Sequence, residues 1–241
     1  MSPFTLLTPA ALLLVSPWAL RPVRGPRPEI HGPMLRGLWW LNALYCGLVH
    51  RLEAPRLAPL PESGPALLIA NHTCGVDNLL LQASCRRVLG FLIAREWFEF
   101  WLCRPFCRIL GCIPVRRDGQ DLGAARAALR ALEQGRVVPI FPEGKILPSS
   151  GLQIGEGKAG AAFLAMHAKV PVIPAYIRGT PPTEDVFKAL HWPSRARVVY
   201  GEPISPAEFE GVPSDREALQ RVTERLMDAI RDLRDRESTP E

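Results

Sequence analysis

Lysine is scarce in this chain, occurring only at positions 145, 158, 169 and 188 although Lys and Arg together number 29. Positive charge is therefore carried almost wholly by arginine, and the formal net charge is +5. That balance suits an anionic membrane face or a phosphate-bearing substrate. An arginine-rich source proteome accounts for the charge equally well, and no nucleic-acid partner is expected. No Cys-x-x-Cys pair exists among Cys46, Cys74, Cys85, Cys103, Cys107 and Cys112, and no His stands near them at zinc-finger spacing. A structural metal site is not expected. The cysteine density also falls short of a disulfide-stapled secreted domain, so reduced thiols facing the cytosol are the simpler reading. A Gly-x-Ser-x-Gly elbow is absent too, and no Ser or Cys stands out as a nucleophile.

Long apolar runs are likewise missing. Phe4 to Leu20 is apolar but broken by Pro9 and Pro17; Met34 to Val49 carries Trp39, Trp40 and Tyr45. A spanning helix wants about 20 apolar residues, and neither stretch reaches that comfortably. No positive charge precedes the first run and no small-x-small site follows it, so a signal peptide is not expected. Arg21, Arg24 and Arg27 lie between the runs, Arg36 opens the second, and Arg51 and Arg56 follow it. Basic flanks with interfacial aromatics suit segments lying in one leaflet. The alternative is that Met34 to Val49 is a core helix. The expectation is monotopic or peripheral attachment to the cytoplasmic face of the cell membrane by residues 1–55, with Pro22 to Pro33 as connector, and a catalytic domain over 56–241.

What is present is an ordered globular composition, 47% hydrophobic and 22% charged over 241 residues, enough for one well-filled core. From Ala66 onward, short apolar runs alternate with amphipathic stretches. Strands are expected at Ala66–Ala70, Val88–Ala94, Ile113–Val115, Val137–Phe141, Val170–Ile177 and, near an edge, Arg195–Tyr200. Helices are expected near Val76–Arg86, Glu96–Leu110, Asp121–Gln134, Gly157–Ala168 and Ser214–Arg236. The prolines of Val170–Ile177 suggest an edge or an irregular end. This alternation predicts an α/β fold with a largely parallel central sheet flanked by helices, behind an N-terminal membrane-associating helical segment. Ligands of such sheets bind beyond the carboxyl ends of the strands.

The first strand runs directly into Asn71-His72-Thr73-Cys74-Gly75-Val76-Asp77. His is the usual general base near neutral pH, and a carboxylate on its other ring nitrogen orients it. Residues five apart on a continuous helix are rotated by about 140° from each other, so the pair cannot face each other within one. A tight turn at Gly75 lets His72 precede the helix while Asp77, in its first turn, points back. An isolated pair at this spacing is more often a solvated loop histidine near a capping aspartate. With no protein nucleophile, the base would act directly on a substrate hydroxyl attacking a thioester.

Three further stretches follow: Gly111-Cys112-Ile113-Pro114-Val115-Arg116-Arg117, then Phe141-Pro142-Glu143-Gly144-Lys145, then Val170-Pro171-Val172-Ile173-Pro174. In order and spacing, the four together resemble the glycerolipid acyltransferases of the lysophosphatidate acyltransferase type, over roughly Ala66 to Thr180. The resemblance implies His72 as catalytic base and Asp77 as the residue that orients it. Arg117 aligns with the family's phosphate-contacting arginine, while Arg116 sits where an aspartate is common. Glu143 and Gly144 would help shape the acceptor site. Lys158, in Gly155-Glu156-Gly157-Lys158, is a further candidate for phosphate, with a plain surface lysine as the alternative.

The family's Phe-Pro-Glu-Gly-Thr-Arg becomes Phe141-Pro142-Glu143-Gly144-Lys145-Ile146 here. An expected arginine is missing, and Lys145 restores charge only as a point and not a fork. Cys74 stands where serine is frequent and reads as a tolerated small residue. The implied reaction moves an acyl group from an acyl thioester donor, acyl-CoA or acyl-carrier protein, to a lysophospholipid acceptor at a membrane surface. Lysophosphatidate giving phosphatidate is the first expectation, and no metal or organic cofactor is called for. Glycerol 3-phosphate or a lyso-ornithine lipid as acceptor, thioester hydrolysis, and a non-catalytic lipid-binding role remain alternatives.

Overall fold

The structure is a computed structural model that describes residues 30, 32–116, 121–147, 151 and 153–238. Its centre is β1 (Ala66–Ala70), whose five residues Ala-Leu-Leu-Ile-Ala are all buried. Burying each Leu or Ile side chain contributes about 1.5–3 kcal/mol, so this apolar run settles in the middle of a sheet. Around it stand β4 (Val137–Ile140), β5 (Val172–Arg178) and β6 (Arg197–Tyr200) in the order β4-β1-β5-β6. β4, β1 and β5 are parallel, and β6 closes one edge antiparallel to β5. β2 (Leu92–Ala94) and β3 (Ile113–Val115) form a separate parallel pair. The expected α/β class with a largely parallel sheet is what the chain adopts.

Alternate residues of β1 serve two cores. Leu67 and Ile69 pack with α5 (Leu122–Glu133), α6 (Ala159–Ala168) and α8 (Arg216–Ser238). Ala66, Leu68 and Ala70 face α1 (Pro33–Val49) and α2 (Asp77–Ala83). α1 is docked by Trp39, whose indole N–H is shared between the carbonyls of Gln82 and Cys85 at 3.0 Å each. The core-helix alternative thus holds for one face of α1, while Met34, Trp40, Leu41 and Leu48 stay exposed. Among the described residues no helix is long and apolar enough to cross a membrane. The Phe4–Leu20 stretch and most of the Pro22–Pro33 connector lie outside the described residues.

Three expectations about elements need correction, and one helix was not among those expected. Val88–Ala94 is not one strand: Leu89 bridges Val137, Gly90 N–H donates to Val137 O, and only Leu92–Ala94 pairs with β3. The chain changes partners midway, which an apolar run cannot reveal. Glu96–Leu110 is two helices, α3 (Arg95–Glu99) and α4 (Arg104–Leu110). Pro105 explains the break, because within one helix it would lack an N–H and press on the carbonyl four residues back. It is accommodated only in the first turn of a new helix, where it stands in α4.

β5 is not an edge strand despite its prolines. Pro171 precedes it, and Pro174 lies opposite Gly201, just past the end of β6, where its carbonyl accepts from Gly201 N–H at 2.9 Å. The missing donor falls where β6 has already ended, so no ladder bond is lost. Finally, α7 (Val186–His191) was not anticipated; its N-cap Asp185 accepts from Lys188 N–H at 3.0 Å.

Candidate active site

The site grows from the carboxyl end of β1. Asn71 behaves as one more rung of the sheet: its Nδ2 donates to Ile177 O at 2.9 Å, and its Oδ1 accepts from Ile177 N–H at 2.8 Å. This amide clamp ties the end of β1 to the end of β5, 106 residues away in sequence. His72 follows immediately and is therefore presented at the C-terminal end of the parallel strands.

Asp77 is the first residue of α2 and is fully buried. Its carboxylate turns back over the preceding loop. Oδ2 accepts from His72 Nδ1 at 2.8 Å, Thr73 N–H at 2.5 Å and Cys74 N–H at 3.0 Å. Oδ1 accepts the Thr73 hydroxyl, which in turn accepts from Thr180 Oγ1 at 2.8 Å. A buried carboxylate needs such partners. His72 and Asp77 thus meet as the spacing argument required, one before the helix and one in its first turn. Gly75 lies in the expected tight turn, which Asp77 N–H closes onto Cys74 O at 3.3 Å, without a left-handed conformation. A Cβ there would lie 2.7 Å from Val186 Cγ2, so glycine is needed for close approach of α7.

Asp77 accepts from Nδ1, which assigns the neutral imidazole's proton to that nitrogen and leaves a lone pair on Nε2. Among the described residues Nε2 has no hydrogen-bond partner, and the side chain is 14% exposed. On one face the ring stacks on Phe141, with centroids 4.1 Å apart and planes 7° from parallel. Phe141 opens the loop after β4. Two residues on, the buried Glu143 accepts His72 N–H on Oε1 at 2.8 Å and Gly155 N–H on Oε2 at 3.0 Å. Burial pushes its carboxyl above the ordinary range, against the opposing pull of those two N–H groups. Both Glu143 oxygens are therefore engaged behind His72.

The expected site residues separate into two groups. His72, Asp77 and Glu143 form one hydrogen-bonded unit. Gly144, at φ +74, gives room to Lys158, whose Nζ would lie 2.8 Å from a Cβ placed there. Lys158 is exposed and its N–H donates to Pro142 O at 2.8 Å, joining the two loops; Lys145 is exposed beside them. Arg117 lies outside the described residues, and Arg116 is exposed just past β3. Asn71, Thr73, Phe141 and Thr180 were not singled out by sequence reasoning. Asn71 and Phe141 stood inside quoted motifs and carried a signal; Thr180 carried none, because its contact depends on the fold.

A free Nε2 lone pair on a carboxylate-anchored imidazole can take a proton from a hydroxyl. Cys74 is no competing nucleophile: burial, with the neighbouring Asp77 charge, pushes its thiol up to about 12, so the reactive thiolate is absent near neutral pH.

The site stands at the carboxyl end of the parallel strands, where an imidazole held in this way is placed to meet a bound hydroxyl. The sequence pattern of the acyltransferase family matches residues 51–178, more than half of the chain. The chain belongs to the acyltransferase family and is an enzyme of that family. A 1-acyl-sn-glycerol-3-phosphate acyltransferase of Bacillus subtilis is 26% identical over 178 residues, covering 72% of this chain and 83% of the relative. A Mycoplasma pneumoniae protein, named as a probable enzyme of the same kind, is 28% identical over 177 residues, covering 66% of this chain and 65% of the relative. In fold, the chain is similar to the crystal structure of a 1-acyl-sn-glycerophosphate acyltransferase from Thermotoga maritima. The TM-score is 0.67, over 88% of this chain and 86% of that one, at 19% identity.

Proposed function

We propose that the chain transfers a fatty acyl group from an acyl thioester, acyl-CoA or acyl-carrier protein, to the hydroxyl of a lysophospholipid. Lysophosphatidate giving phosphatidate, a step of phospholipid biosynthesis, is the reading that the names of the relatives favour. The observation that carries it is the His72 imidazole, held by Asp77 on Nδ1 with Nε2 open. In this reading Nε2 takes the acceptor's hydroxyl proton as the oxygen attacks the thioester carbonyl. Collapse of the tetrahedral adduct breaks the carbon–sulfur bond, and the departing thiolate takes the proton from the imidazolium. Glu143, bonded to His72 N–H and Gly155 N–H, fixes the backbone of both loops. Arg117, Lys145 and Lys158 supply positive charge for an anionic headgroup, and Gly144 leaves space for the Lys158 side chain.

Residues 1–55 provide attachment to the cytoplasmic face of the cell membrane, and residues 56–241 carry out the transfer. A second reading keeps the chemistry and changes the acceptor to glycerol 3-phosphate or a lyso-ornithine lipid. Lys145-Ile146 in place of the family's Thr-Arg favours testing it, since a point charge there lacks the fork that grips phosphate.

Thiol release from palmitoyl-CoA by the full chain in detergent, with and without lysophosphatidate, tests the proposal beside His72→Ala. A positioned base contributes about 10²–10⁴-fold, so the variant should lose at least that order of turnover and keep its fold. Near-full activity in His72→Ala would refute the mechanism. Release unaffected by lysophosphatidate but stimulated by another acceptor would move the assignment to the second reading.

A further inference from the structure

We infer that the turn between α3 and α4 is a membrane-contact element in its own right, seating Trp101 and Leu102 in an anionic leaflet beside the His72 site. The break imposed by Pro105 turns the chain outward at Trp101, which is 76% exposed, followed by Leu102 at 51%. Phe106 and Ile109 of α4 are exposed as well. By contrast Trp39, which docks α1, is only 3% exposed.

The turn is built on a braced base. Trp97 meets Phe100 with centroids 6.0 Å apart and Phe187 at 5.7 Å, while Phe100 reaches Phe187 at 6.4 Å. Four aromatic rings, counting Trp101 at 6.2 Å from Phe100, thus link α3, the turn and α7. These ring contacts tie the turn to α7 while Trp101 and Leu102 stay exposed.

Charge decides what covers this face. From Phe100 to Leu110 the sequence Phe-Trp-Leu-Cys-Arg-Pro-Phe-Cys-Arg-Ile-Leu holds two arginines and no acidic residue. Arg104 and Arg108 stand one helical turn apart on α4, both exposed, and among the described residues neither has an ion-pair partner. The nearby Glu99 is engaged by Arg95 at 2.8 Å. Exposed tryptophan and aliphatic side chains flanked by unpaired arginines match the boundary between acyl chains and anionic headgroups. A protein partner of ordinary composition would meet those arginines with carboxylates; an anionic lipid surface meets them with phosphates.

Location ties the face to the chemistry. Phe187 follows Val186, the residue against which Gly75 of the His72–Asp77 turn packs. At the other end of α7, Leu190 O accepts the Tyr45 hydroxyl of α1 at 2.7 Å. α7 therefore connects the exposed turn, the catalytic turn and α1. The inference rests on the acyl-transfer reading only in explaining why a lipid-facing turn adjoins His72.

The test uses the full chain with vesicles of phosphatidylcholine, alone or mixed with phosphatidylglycerol, carrying brominated acyl chains that quench tryptophan. Trp101→Phe keeps the apolar face and should bind as the parent does while losing part of the quenching. Trp101→Ser with Leu102→Ser should reduce partitioning to both vesicle types. Arg104→Gln with Arg108→Gln should weaken binding to the anionic vesicles by about fivefold for each arginine removed, leaving the neutral ones unchanged.

Equal quenching in the parent and Trp101→Phe overturns the inference, as does a serine variant that partitions like the parent. Self-association without lipid that the serine variant abolishes assigns the face to a second copy and overturns it too. In thiol release, the serine variant should match the parent in detergent and fall behind on vesicle-borne acceptor. Absence of thiol release by the parent itself would count against the acyl-transfer reading and leave the quenching result standing.

Discussion

The imidazole of His72 lies flat against the ring of Phe141, 4.1 Å between centroids and 7° from parallel. The contact fixes the plane in which Nε2 points, and in the proposed mechanism the π face would stabilise the imidazolium formed when His72 takes a proton. Phe141→Ala should lower kcat about threefold to tenfold, in line with the worth of one aromatic pair. Phe141→Tyr should retain most activity. Thiol-release kinetics with circular dichroism as a fold control decides it.

Behind the dyad, Thr180 donates to Thr73, and Thr73 donates to Asp77. Thr180→Val keeps the shape and removes the outer donor. The expected result is a kcat lower by about fivefold, the worth of one hydrogen bond, with KM unchanged and recovery in Thr180→Ser. A KM effect without a kcat effect would show that Thr180 does not act through Asp77.

Cys74 is buried and its thiol stands at about 12. Cys74→Ser should therefore turn over like the parent, and iodoacetamide at neutral pH should leave activity intact. Inactivation that the Cys74→Ser substitution prevents would reopen the case for a covalent intermediate.

At the far edge of the sheet, Glu237 of α8 accepts from Arg197 at 2.6 Å and from Arg178 at 3.1 Å. Burial alone would raise its carboxyl, but the hydrogen bonds and charge of Arg197 and Arg178 outweigh this and hold it below the ordinary 4.5. A depressed folded value stabilises above the unfolded one and loses that contribution as pH falls through the folded one. Glu237→Gln should cost about 1 kcal/mol at neutral pH, as for a partly exposed ion pair. The gap between parent and variant in urea midpoints should close as pH drops below 4.5. A gap independent of pH would mean that the contact stabilises by packing alone.

Much of the site was legible in the sequence because its parts are local. A buried strand ending in Asn71-His72, a short turn, and an Asp opening the next helix leave few ways for the two side chains to meet, and the five-residue spacing rules out a continuous helix. The same locality made β1, α5 and β4 readable, since each carries its own apolar pattern and its own stop, such as Gly135 after α5. Pro105 was equally visible, and reading it as a first-turn residue would have divided Glu96–Leu110 correctly.

What failed was pairing. The run Val88–Ala94 reads as a single strand, yet it changes neighbours at Gly90, and nothing within those residues specifies that. The prolines of β5 pointed to an edge or an irregular end, yet Pro174 is interior because β6 beside it ends at Tyr200. Both depend on partners far along the chain.

By itself, then, the sequence determined the alternation of strands and helices, the order His72 before Asp77, and the absence of a Gly-x-Ser-x-Gly elbow, because periodicity, turn residues and residue chemistry act over a few positions. Only the tertiary structure decided that Asn71 would clamp Ile177, that Phe141 would lie under the imidazole, that Glu143 would sit behind His72, and that Trp101 would face outward beside α7. These contacts join segments up to 106 residues apart. They exist because the β4-β1-β5 order brings three strand ends together, and which strands pair depends on burying apolar surface contributed by segments far apart in the chain.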